Sequence, residues 1–268
     1  MRNQWKACII LAVFALLCMV PQQVSAADKS KEPEYDFNGN KTVEITEKRS
    51  YTETEKYTWL KYKPAADGYL TVKVSDTGAA AEPAKGYLAL YDSTKTKLLS
   101  SSSIFYNTAH TDKSFWYEFT FGMQKDREYY IRVRAENAAE FGRKFTKVKD
   151  TSGSSRTKAA ALKKNKAKTG LIAAGVSVVD WYQFSLSKKQ KIRLNYSAKT
   201  NGSFKISVYW GTKLMASWNM YYTSGQKRTL YLKNDLNKKK MGMNTGKYYI
   251  KIERANATSS GFYKIKWN

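Results

Sequence analysis

Beyond its first few dozen residues the chain is built from short runs in which apolar and polar positions alternate, separated by turn residues. In the second half Tyr182, Phe184 and Leu186 alternate with Gln183 and Ser185, and Ile192, Leu194 and Tyr196 with Arg193 and Asn195. Phe204, Ile206, Val208 and Trp210 alternate with Lys205, Ser207 and Tyr209. Leu230 with Leu232, Ile250 with Ile252, and Tyr263, Ile265 and Trp267 continue the pattern. A period of two places one face of a strand against a core and the other in water. Many such strands at regular spacing predict an all-β sandwich or barrel.

The first half repeats the second. Trp59-Leu60-Lys61-Tyr62 aligns with Trp181-Tyr182-Gln183-Phe184, and Leu88-Ala89-Leu90-Tyr91 with Ile206-Ser207-Val208-Tyr209. Tyr129 to Val133 aligns with Tyr248 to Ile252, and Phe145 to Val148 with Tyr263 to Lys266. The offsets of these four blocks, 122, 118, 119 and 118 residues, are nearly constant, as in a tandem duplication. The break falls near Asp150 to Ser155, where Thr-Ser-Gly-Ser-Ser interrupts the alternation. The expected domains are therefore 27–150 and 151–268. Ala159 to Leu162 fits a short helix, or else a loop or strand edge guarded by Lys163, Lys164, Lys166 and Lys168.

Residues 1–26 stand apart. Arg2 and Lys6 precede an uncharged apolar run from Ile9 to Val20, and Val24-Ser25-Ala26 supplies the small residues of a cleavage site. This pattern predicts a secretory signal peptide, leaving no transmembrane anchor after its removal. Both cysteines, Cys8 and Cys18, lie inside it, so the exported chain is expected to fold without disulfides, as suits a bacterial and especially a Gram-positive protein.

Several stretches resemble the bacterial pre-peptidase C-terminal (PPC) domain, a relative of the collagen-binding modules of clostridial collagenases. Asp180-Trp181-Tyr182-Gln183-Phe184 is similar to that family's opening strand, and Gly246-Lys247-Tyr248-Tyr249-Ile250-Lys251-Ile252 to its late strand. Leu88-Ala89-Leu90-Tyr91-Asp92 resembles its central strand. The first copy departs where Thr58 replaces the Asp and Arg127-Glu128 replaces the Gly. The resemblance implies two tandem jelly-roll-like antiparallel β-sandwiches that bind or stabilise rather than catalyse. It also implies a candidate calcium position in the segment before the first core strand, where Glu32, Glu34 and Asp36 stand, although three acids spaced by two suit a charged linker better than a site that needs about six to eight oxygens. No other cofactor is expected.

Charge separates the two copies. Residues 151–268 hold 24 Lys/Arg against three acids, Asp180, Asp235 and Glu253, whereas residues 27–150 hold 21 against 19. Self-repulsion on this scale opposes compactness, so a polyanionic partner is the expected reason for it. The outward positions Lys191, Arg193, Lys205, Tyr209, Tyr231, Lys233, Tyr249, Lys251, Lys264 and Lys266, together with the loop Lys238-Lys239-Lys240, are the expected contact face for an anionic cell-wall or host polysaccharide. Nucleic acid is not expected as the specific ligand of an exported protein. The competing reading is an envelope assembly protein whose charge serves general adhesion. Catalysis is not expected: a single His110 in a polar stretch offers no triad partner set, and neither a Gly-x-Ser-x-Gly elbow nor a phosphate-binding loop is present.

Overall fold

The computed structural model describes residues 32–46, 57–76, 85–106, 117–221, 227–232 and 242–268. The expected signal peptide and His110 lie outside them. Every described element is a strand. The first half supplies β1 (Glu34–Asp36), β2 (Thr42–Ile45), β3 (Thr58–Tyr62), β4 (Gly68–Asp76), β5 (Lys85–Asp92), β6 (Ser103–Tyr106), β7 (Tyr117–Met123), β8 (Tyr129–Ala135) and β9 (Ala139–Lys147). The second supplies β10 (Ala160–Ala161), β11 (Lys168–Ile172), β12 (Val179–Leu186), β13 (Ile192–Asn201), β14 (Ser203–Trp210), β15 (Lys213–Tyr221), β16 (Lys227–Leu232), β17 (Gly246–Arg254) and β18 (Ser260–Trp267).

These strands form two sheets per half. The first half has the orders β1-β3-β8-β5-β6 and β2-β9-β4-β7; the second has β10-β12-β17-β14-β15 and β11-β18-β13-β16. The two architectures correspond strand for strand, which is the structural counterpart of the near-constant sequence offset. Pairing is antiparallel except at two edges, where β1 runs parallel to β3 and β10 parallel to β12. The two sandwiches are antiparallel as expected, and at these edges a short leading segment returns alongside the opening strand in each copy.

Alternation places the core as expected. On β12, Tyr182, Phe184 and Leu186 are buried while Trp181, Gln183 and Ser185 are not. The second core gathers Tyr182, Tyr196, Phe204, Ile206, Ile250, Tyr263 and Ile265 between its two sheets. The first gathers Leu60, Leu70, Val72, Leu90, Phe121, Ile131 and Phe141. Each fully buried aliphatic side chain contributes about 1.5–3 kcal/mol, so two such cores hold the sandwiches without disulfides. The β14–β15 hairpin turns on Gly211-Thr212, and Gly211 has φ 55°, a conformation open to glycine at little cost.

Residues 159–162 form no helix. Ala160 and Ala161 pair with Tyr182 and Gln183 as an edge strand. Leu162 is 2% exposed, and its carbonyl accepts the Trp267 indole N–H at 2.5 Å. Burying Leu162 and satisfying that indole outweigh the local helix propensity of an alanine run.

Pro33–Asn268 is one compact unit, and the sandwiches touch through β7 and the strands β11, β13 and β18. Gly122 on β7 makes the closest approach: a Cβ there would stand 2.3 Å from the Ile172 carbonyl oxygen and 2.6 Å from the Gly261 nitrogen. The Gly122 N–H donates to Ser260 Oγ, and its carbonyl accepts the Ala174 N–H at 2.8 Å. Tyr69 stacks on Phe262 with centroids 5.3 Å apart. Arg254 donates to the carbonyls of Ala173 and Val176, and Arg127 to that of Gly175, so two guanidiniums from different sandwiches close the same loop.

Candidate functional site

On the outer face of β12-β17-β14 the register lines side chains into rows. Gln183 lies opposite Tyr249, and Tyr249 opposite Tyr209; Trp181 lies opposite Lys251, and Lys251 opposite Ser207; Lys205 lies opposite Glu253. Trp181, Tyr209 and Tyr249 are half-buried. Trp181 and Tyr209 approach to 5.9 Å between centroids at 34°. Arg156 places its guanidinium carbon 4.6 Å from the Tyr249 ring centre and 5.8 Å from that of Tyr209, and Lys247 Nζ lies 5.4 Å from that of Tyr249. The segment bearing Arg156 is anchored by reciprocal backbone bonds between Gly153 and Trp181, at 3.0 and 2.8 Å. The result is a patch of ring faces with cations fixed over them. Ring faces pack against the C–H faces of sugars, and cations held over rings keep their outer N–H edges for anions.

The first sandwich carries the same three rings in a closed form. Trp59, Tyr91 and Tyr130 occupy the matching positions and are 2%, 8% and 6% exposed. Lys95 covers two of them, 5.2 Å from the Trp59 centre and 4.6 Å from that of Tyr130, and is held there by Glu34 of β1 at 2.8 Å, while Arg132 lies over Tyr91. In the second sandwich the corresponding edge strand β10 is Ala160-Ala161, which has no acid to fix such a lid.

The positions expected to make one contact face do not share a face. Lys205, Tyr209, Tyr249 and Lys251 lie on β14 and β17; Arg193, Tyr231, Lys264 and Lys266 lie on β13, β16 and β18 of the opposite sheet, with Lys191 one residue before β13. The reason is connectivity: successive strands cross between the sheets, and alternation records inward against outward but not which sheet. Lys205, Lys191, Arg193 and Lys264 are exposed. Lys251 is half-buried and bonded to Glu253 at 2.8 Å, so it brings little free charge to the face. Tyr231 is placed by its backbone opposite Arg193, while Lys233 and Lys238-Lys239-Lys240 lie outside the described residues. Trp181 and Arg156 were not among the expected residues. Trp181 was legible as the outward member of the Asp-Trp-Tyr-x-Phe strand, whereas the placement of Arg156 over the rings follows from a loop path with no periodic signal.

The acids of the candidate calcium position, Glu32, Glu34 and Asp36, do not gather around a common point. Glu34 is engaged by Lys95, and Asp36 Oδ1 accepts the Asn38 N–H at 2.8 Å in a local turn. Among the described residues no three His, Cys, Asp or Glu side chains come together as a metal site. The strand spacing leaves these acids on an exposed edge rather than around a common point.

Asp180 is structural. It is 1% exposed, receives Tyr263 Oη–H at Oδ2 (2.5 Å) and Ser152 Oγ–H at Oδ1 (2.9 Å). Tyr263 and Tyr182 hydroxyls are 2.9 Å apart, and Tyr182 donates to the Thr169 carbonyl at 3.3 Å. Burial pushes the Asp180 carboxyl up to about 7, with the nearby charge of Asp150 adding to the rise and the two donors opposing it. Asp150 is itself occupied, accepting the N–H groups of Ser152 and Leu171. This network ties the segment entering the second sandwich to its core.

No known sequence family matches the chain, and no curated protein matches it by sequence. Among solved structures it is similar to the pre-peptidase C-terminal domain of a collagenase from Bacillus anthracis (TM-score 0.31, 11% identity, covering 46% of this chain and all of that one). It is also similar to a CBM36-1 domain of a multidomain xylanase from the hindgut metagenome of Trinervitermes trinervoides (TM-score 0.24, 15% identity, 39% of this chain and 89% of that one). A third is the N-terminal tandem of CBM22 domains from Paenibacillus barcinonensis (TM-score 0.22, 9% identity, 85% of this chain and 86% of that one). The first of these is of the domain type that the strand motifs resemble, and the all-β sandwich fold itself rests on the strand order and register described above.

Proposed function

We infer that this protein is a secreted, non-catalytic binding module. Its domains are divided as 27–150 and 151–268, and the second attaches the protein to an anionic polymer of the cell surface or extracellular matrix, such as wall teichoic acid or an acidic glycan. One observation carries the reading: the open Trp181–Tyr209–Tyr249 patch, with Arg156 across it, lies in the half of the chain with 24 basic residues and three acids. Of those acids Asp180 is buried and Glu253 is paired with Lys251, so little negative charge balances the exposed bases.

Retention of the chain from residue 27 on purified Gram-positive walls tests this reading, with and without their anionic polymer, at about 0.05 M and about 0.5 M salt. Binding should require the polymer, fall steeply with salt, and weaken several-fold in Arg156→Gln. Retention that survives removal of the polymer, or that ignores salt, contradicts it.

A further inference from the structure

The first sandwich holds a depression of about 250 Å³ on the outer face of β8 and β5, lined by Tyr57, Tyr87, Ala89, Ser102, Arg132 and Arg134. Its floor is Ala89, the smallest side chain in its row, lying opposite Arg132. Arg132 is set between two rings, its guanidinium carbon 4.1 Å from the centre of Tyr57 and 4.7 Å from that of Tyr91. Arg134 lies 5.0 Å from the centre of Tyr87. The neighbouring cations on this sheet have acids of their own: Lys61 with Glu128, Lys85 with Glu136 and Lys95 with Glu34. Among the described residues no carboxylate is paired with Arg132.

We propose that this depression binds a carboxylate-bearing sugar unit, a hexuronate, with Arg132 as the group that recognises the carboxylate. A guanidinium stacked between rings has its faces covered, and its remaining donors point along the ring plane as a preset fork. A planar carboxylate takes two parallel N–H bonds from such a fork, and a point-like ammonium cannot offer them. Arg132 and Arg134 are two residues apart on β8, so both side chains leave the same face of the sheet, and Arg134 with Tyr87 forms one wall of the depression. Tyr57 and Tyr87 supply flat faces for the C–H side of that ring, and the Ser102 hydroxyl supplies a polar partner at the rim. The volume suits one or two sugar units rather than a stretch of polymer. A neutral sugar of the same shape would cover the Arg132 guanidinium without pairing its charge, which disfavours it.

This site differs from the patch on the second sandwich in position, in its arginine fork and in ligand. The test uses a short oligosaccharide in solution rather than wall polymer, so failure of one reading leaves the other readable. Isothermal titration of the chain from residue 27 with tetragalacturonate should show binding. The carboxyl-reduced neutral tetrasaccharide and a sulfated tetrasaccharide of matched length should each bind about tenfold more weakly or worse. Arg132→Lys and Arg132→Gln should each lower uronate affinity by about tenfold. Lys97→Gln, which removes the same charge from an exposed turn, should leave it unchanged. Failure to bind tetragalacturonate, equal affinity for the neutral or sulfated sugar, or an equal loss in Lys97→Gln would overturn the proposal.

Discussion

Replacing Asp180 by Asn should make the protein more stable at alkaline pH and nearly indifferent to the change at acid pH. The native carboxyl titrates at about 7 against an ordinary value of 3.8. The folded state therefore holds this proton more tightly than the unfolded chain between about pH 4 and pH 7, and stability falls as pH rises through that window. Three pKa units at about 1.4 kcal/mol each give about 4 kcal/mol lost between acid and neutral pH. The uncharged amide of the Asp180→Asn variant would carry no such penalty. That amide can donate to Tyr263 Oη, which donates to Tyr182 Oη, which donates to the Thr169 carbonyl, while its oxygen still accepts from Ser152. Urea denaturation followed by tryptophan fluorescence should give a variant-minus-parent difference near zero at about pH 3, about 1 kcal/mol at about pH 4.5 and about 4 kcal/mol at about pH 8.5. A difference that stays flat across this range would refute the reasoning, because the desolvated charge would then not be the origin of the shift.

Two further substitutions separate roles that the repeat makes equivalent in sequence. Trp59→Ala should cost about 3–5 kcal/mol in unfolding free energy, since Trp59 is 2% exposed, while Trp181→Ala should cost less and instead abolish most polymer retention. Equal stability losses in the two would contradict the closed and open forms of the patch. Gly122→Val inserts a side chain against two backbones at the junction and should lower stability by about 1–3 kcal/mol, separating the denaturation profile into two transitions. An unchanged single transition would show that the junction does not couple the sandwiches.

The fold was legible in the sequence wherever one face of a strand is buried. Tyr182, Phe184 and Leu186, or Ile192, Leu194 and Tyr196, announce their strands because only one side of each meets the core. β15 did not announce itself: as an edge strand it mixes exposed Leu214 and Tyr221 with half-buried Met215 and Trp218, and only Met220 is fully buried. The Ala159–Leu162 segment was ambiguous because its structure is decided by Trp267, more than 100 residues away. For the site, the charge of the second half and the outward tyrosines were readable, but their division between two opposed sheets was not. That division follows from strand order, a long-range property. The closing of the first patch by Lys95 and Glu34 likewise depends on a contact across 61 residues.

The most direct test of the account is lysine acetylation footprinting of the chain from residue 27, with and without soluble wall teichoic acid, read residue by residue by mass spectrometry. The account predicts strong protection of Lys205 and Lys247 on the aromatic face of the second sandwich, with Lys191 and Lys264 on the opposite sheet still modified. Uniform protection of all four, or protection of the opposite sheet alone, would contradict it.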